Sequence, residues 1–156
     1  MLGTLLLSAI AAGTGLALGG VLRGAPRPRM AIARWVRRTA AAIASVVAVA
    51  FAAGVIGLLS RSGPVPVAVP TIVVFALALL GAALLLWRGP STHLGVAGHW
   101  LGALWWMLSA LRTGNPVLHL MFAPVAVLGL LAAGLESVGT PEPEAPAPQT
   151  RHPHRL

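Results

Sequence analysis

The sequence predicts an all-α fold, a polytopic transmembrane bundle of five helices, and three observations predict it. Only 9% of the 156 residues are charged while 57% are hydrophobic, against the roughly 25% charged residues of a soluble domain. The apolar residues gather into five stretches close to the ~20 residues needed to cross a bilayer. Six of the eleven arginines crowd into residues 23–38, between the first two stretches, as a topology signal does.

The stretches are residues 2–22, 39–60, 67–87, 94–111 and 116–135. The first two contain no charge. The third carries Pro70 in its opening turn, where a missing amide costs little. The fourth is the shortest, with His99 inside it and Trp100, Trp105 and Trp106 along it. Trp belongs to membrane interfaces, so the alternative is four spans plus one interfacial helix at 94–111. The fifth begins near Pro116 and contains Pro124, which removes a backbone bond at Leu120 and predicts a bend. Residues 1–139 form the bundle on this reading. Residues 140–156, with five prolines in seventeen positions, form a disordered tail.

Charge sets the expected orientation. With five spans, nine arginines lie on one side and two (Arg61 and Arg112) on the other; with four, the split is eight to three. The larger bias favours five spans in the cytoplasmic membrane, N-terminus outside and C-terminus inside. No basic residue precedes the first stretch and a dense basic cluster follows it, which opposes a cleaved secretory leader. Arg34, Arg37 and Arg38 form a basic side of one turn, placed to hold topology and meet anionic lipid headgroups. The formal charge of +8 is therefore assigned to the membrane surface and not to nucleic acid.

The residue inventory excludes several chemistries. There is no Cys, Lys, Asp or Tyr, and the only acids are Glu136, Glu142 and Glu144. Disulfides, thiolate nucleophiles, Schiff-base lysines and Asp-containing triads are absent. Glu142 and Glu144 lie in the proline-rich tail, which cannot hold paired carboxylates in a fixed geometry. Glu136 falls at the end of the fifth stretch, from which it is expected to reach water.

Small residues predict where helices meet, because close packing holds helices together in lipid. The first span offers Ser8, Ala11, Gly15 and Gly19. The second offers Ala41, Ser45, Ala48 and Ala52, and the fourth Gly95, Gly98 and Gly102. Gly95, His99, Gly102, Trp106 and Ser109 follow helical spacing and predict a protein-facing stripe. Val96, Trp100, Ala103, Leu104, Met107 and Leu111 are left mostly for lipid or other contacts.

His99 and His119 are the ionisable side chains expected at membrane depth, where such groups are functional candidates. Their plain reading is structural hydrogen bonding. A chemical reading pairs His119 with Met121 or Met107, an imidazole–thioether set suited to a soft ion such as Cu(I). Haem would need His99 and His119 as facing axial ligands, and their different depths oppose that. The function expected is an accessory or packing subunit without catalytic activity or cofactor, assembling as a homo- or hetero-oligomer. A His/Met metal or haem protein, and a small permease with a pathway beside Pro124 and the Gly95–Ser109 stripe, are the alternatives.

Overall fold

The computed structural model describes residues 2–60, 69–88 and 93–138. The tail at 140–156, the connector carrying Arg61 and the His93 side chain lie outside the described residues. Five α-helices follow in order: α1 Leu2–Val21, α2 Pro26–Leu59, α3 Val69–Trp87, α4 His93–Arg112 and α5 Pro116–Ser137, with a 3-10 turn Leu22–Gly24 between α1 and α2. All five are long and apolar enough to cross a membrane, the fourth included. The chain is an all-α helical bundle.

α2 differs from expectation. The basic segment and the second apolar stretch form one helix of 34 residues, about 51 Å at 1.5 Å per residue, against a hydrocarbon core of about 30 Å. Pro26 stands at the helix start, where its missing N–H breaks no bond, and nothing helix-breaking follows Pro28. The run from Arg37 to Leu59 covers about 33 Å, so the preceding turns project beyond a bilayer-thick slab.

α5 is the centre of the packing, flanked by α1, α2 and α4, while α3 closes the bundle against α2 and α4. Its start is built locally. The Asn115 side chain accepts from the Val117 amide at 2.9 Å, Pro116 takes the first helical position, and Thr113 Oγ1 accepts from the Asn115 amide at 3.2 Å. This cap makes a three-residue turn between α4 and α5. α5 continues through Pro124, which faces outward, exposed. Pro124 therefore does not face the Gly102, Trp106 and Ser109 side of α4, which is buried.

Small residues let the backbones touch. On α1 the buried positions are Thr4, Ser8, Ala11, Gly15 and Gly19, the predicted ridge extended by one turn. A Cβ on Gly15 would collide with the Leu131 carbonyl oxygen, and one on Gly134 would stand 2.9 Å from Ala12 O and Leu16 N. A Cβ on Gly19 would meet Val138 at 3.0 Å. On α4, Gly102 lies against Ala82 O, 3.0 Å from the position of a Cβ, and Gly98 against Leu85 at 3.4 Å. Gly95 is half-buried.

Two predicted faces are rotated. The buried stripe of α2 runs through Arg29, Ala33, Arg37, Ala40, Ala41, Ala44, Val47, Ala48 and Val55, leaving Ser45 and Ala52 at its margin. On α4, Val96 and Ala103 are buried instead of lipid-facing; α4 touches both α3 and α5, so its buried arc is wider than one stripe. The core joins these faces around Leu79, Leu86, Trp106, Phe122 and Val125. Trp106 is fully buried, its ring edge-on to Phe122 at 5.4 Å.

Candidate functional site

Among the described residues, hydrogen-bonded polar side chains of different helices meet at two levels of the bundle. At the arginine-rich end, α2 and α4 enter the bundle while α3 and α5 finish. Arg37 reaches across this end from the buried face of α2, one turn after Ala33 and two after Arg29. Its Nε donates to Glu136 Oε1 at 3.0 Å, and its Nη1 to the carbonyls of Leu86 at 2.8 Å and Arg88 at 2.7 Å. His99 Nε2 lies 2.6 Å from the same Arg88 carbonyl, and Nδ1 contacts Glu136 Oε2. Arg37, His99 and Glu136 are 4%, 0% and 2% exposed, so the cluster is sealed.

Its hydrogen-bond complement is set by donor–acceptor logic. A carbonyl only accepts, so the Arg88 oxygen assigns a proton to His99 Nε2. The Nδ1–Oε2 contact then closes with one further proton, on the imidazole or on the carboxyl. Either placement leaves the cluster, with Arg37, at one net positive charge. The cluster joins α2, the end of α3, α4 and α5 in one network. Close by, Arg29 donates to the Val138 carbonyl. Trp100 Nε1 donates to Ser137 Oγ at 2.8 Å, whose hydroxyl donates to Ala133 O at 2.7 Å.

Two expectations are corrected here. Glu136 does not reach water: at 2% exposure it is the carboxylate that Arg37 and His99 share. Arg37 does not join Arg34 and Arg38 at the headgroups. Those two are exposed, but each residue turns 100° on a helix, and position 37 falls on the buried face with Ala33, Ala40 and Ala44. Trp35 stays outward at 75% exposure.

The second level is at the other end. His119, early in α5, sits between the start of α1 and the end of α4. Its Nδ1 lies 2.9 Å from Ala110 O and its Nε2 2.6 Å from Thr4 Oγ1. The carbonyl assigns the proton to Nδ1, so Nε2 accepts from the threonine hydroxyl, and neutral imidazole satisfies both. His99 and His119 are thus held at opposite ends, each with both ring nitrogens engaged. Met107 is partly buried against the core, while Met121 is exposed at 41% and lines an apolar hollow with Val55 and Leu58. Among the described residues, no three His, Cys, Asp or Glu side chains converge as a metal cage. At the His99–Glu136 pair the Arg37 charge stands where a cation would compete.

Sequence reasoning found His99, His119 and the α1 ridge, and missed the roles of Arg37, Glu136, Gly129 and Gly134. A Cβ on Gly129 would lie 2.9 Å from Ala103 Cβ. The available signal was the small-residue face Ala126, Gly129, Ala133, which continues to Glu136.

Five helices of membrane-crossing length, with their polar groups turned inward and Leu and Val outward, define the class: an integral membrane protein of bundle type. No protein-family model, curated protein or solved structure matches the chain.

Proposed function

We propose that this protein is a non-catalytic subunit of the cell membrane, an accessory or packing element that assembles with itself or with a partner. The observation that carries the reading is how its inward polar groups are used. Both nitrogens of His99 and His119 and both oxygens of Glu136 already fasten one helix to another. That leaves no free general base or nucleophile among them, and burial seals the charged cluster from substrate. The outer face, by contrast, presents large apolar side chains such as Val46, Val49, Leu77, Leu84 and Leu101, suited to lipid or to another helix. Purification in mild detergent should yield a homo-oligomer or a complex of fixed stoichiometry; a monodisperse monomer that turns over a substrate would defeat the proposal.

The orientation proposed places the arginine-rich end in the cytoplasm. Exposed Arg23, Arg27, Arg34, Arg38 and Arg88 gather at that end, which supports it by the positive-inside rule. The chain has no cysteine, so single cysteines placed at Gly3 and Ala31 would report sidedness to an impermeant thiol reagent. Labelling of position 31 from outside intact cells would reverse the orientation.

Metal or haem binding through His99, His119, Met107 or Met121 is the weaker reading, since a ligand would have to break an existing hydrogen bond at either imidazole. Metal content or a Soret band lost in His119→Ala would restore it.

A further inference from the structure

The end of the bundle away from the arginine cluster holds a cavity of about 510 Å³ between α2, α3, α4 and α5. Its apolar walls include the aromatic group Phe51, Phe75, Trp105 and Phe122, with Phe75 5.5 Å from Phe51 and 6.4 Å from both Trp105 and Phe122, ring to ring. A second hollow of about 350 Å³ shares the walls Phe51, Ile72 and Leu118 and is otherwise apolar, running on past Val47 and Val55 to Met121. The first cavity also has a polar rim, formed by Arg112, Thr71 and Thr113.

Arg112 is the unusual member. Every other charged side chain among the described residues lies at the opposite end of the bundle. The side chain of Arg112, exposed on the last turn of α4, has no hydrogen-bond or ion-pair partner among the described residues. Thr113 Oγ1 already accepts the Asn115 amide, so its hydroxyl hydrogen remains to be donated. An unpaired guanidinium and a donating hydroxyl on the rim of an apolar hollow are complementary to an anionic headgroup with an apolar chain. The hollow's size falls within the few hundred to about 1,000 Å³ of small-molecule sites.

We infer that this cavity binds an anionic single-chain amphiphile, a fatty carboxylate, with its head on Arg112 and its chain along Phe75 and Phe51 into the second hollow. The carboxylate geometry suits the forked donors of arginine. One chain is chosen over two because the two hollows share the walls Phe51, Ile72 and Leu118 and so continue one another in a single line. The assignment is independent of whether the protein is an accessory subunit.

The test uses the full chain in phosphatidylcholine nanodiscs with a brominated fatty acid at mildly alkaline pH. Bromine quenches tryptophan at contact range, and Trp105 lines the cavity while Trp35, Trp87 and Trp100 lie toward the other end and Trp106 is fully buried. Saturable quenching is expected, and Trp105→Phe should remove most of it. The uncharged methyl ester should bind roughly tenfold more weakly, as should the acid to Arg112→Gln, the scale of one charge-assisted hydrogen bond. Ile72→Phe, which narrows the junction of the two hollows, should weaken acid and ester alike. Equal binding of acid and ester to the wild-type protein overturns the proposal without any variant. Quenching unchanged in Trp105→Phe overturns the location, and an anionic diacyl phospholipid that displaces the brominated acid as well as a fatty acid does overturns the single-chain assignment.

Discussion

Replacing Glu136 by alanine removes the acceptor that Arg37 Nε and His99 Nδ1 share. Arg37 then keeps its bonds to the Leu86 and Arg88 carbonyls but loses the one carboxylate it meets among the described residues, inside a site where it is 4% exposed. Breaking one partner of a buried ion pair costs about 3–5 kcal/mol. Two lost bonds to charged groups, at about 1.5–3 kcal/mol each, give the same scale. Glu136→Gln separates charge from hydrogen bonding. Its amide oxygen can accept from Arg37 while its NH2 donates to a neutral His99, preserving both contacts and the net charge of +1. Its cost should be about 1–2 kcal/mol, the difference between a charged and a neutral hydrogen bond. The double change Arg37→Leu with Glu136→Leu should cost less than the sum of the two single changes, by about 1–3 kcal/mol. Equilibrium unfolding in mixed detergent–SDS micelles measures all of these. A loss below about 1 kcal/mol for Glu136→Ala, or equal losses for Ala and Gln, would refute the buried-cluster reasoning.

Three other outcomes are expected. Gly134→Ala should destabilise the bundle by about 1–3 kcal/mol, because its Cβ would stand 2.9 Å from backbone atoms of α1 that cannot yield, whereas Gly13→Ala, with nothing within 4 Å, should lose nothing in the same unfolding assay. Trp106 is fully buried and its Nε1 finds no partner among the described residues, so Trp106→Phe, which removes an unpaired N–H, should cost far less than the ~3–5 kcal/mol of Trp106→Ala. Asn115→Ala should cost about 1 kcal/mol by removing the α5 cap, and Asn115→Asp should restore most of it; equal melting of the two variants would show that the cap is dispensable.

What could be read in the sequence was what one helix records by itself. The α1 ridge was legible because small residues recur every three or four positions, and the α4 stripe for the same reason. The face of α2 was harder, since Ala dominates all sides from Ala40 to Ala53 and composition masks the periodicity. The cluster could not be seen from either end: Arg37 and Glu136 stand 99 positions apart. Read singly, an arginine in a basic run belongs at headgroups and a glutamate at a helix end belongs in water. Only their meeting across the bundle, with His99 between α4 and α5, makes burial affordable for both. The long α2 was missed because basic residues suggested a surface segment, although nothing between Pro28 and Leu59 interrupts a helix.

The central place of α5 sets an order of events during synthesis. A chain that emerges from the ribosome N-terminus first delivers α1 to α4 before the helix against which α1, α2 and α4 rest. Until the final turn of α5 is made, Arg37 and His99 wait in the half-built bundle without their carboxylate. Insertion and completion are thus separate stages, the buried network closing only when α5 docks between α1, α2 and α4.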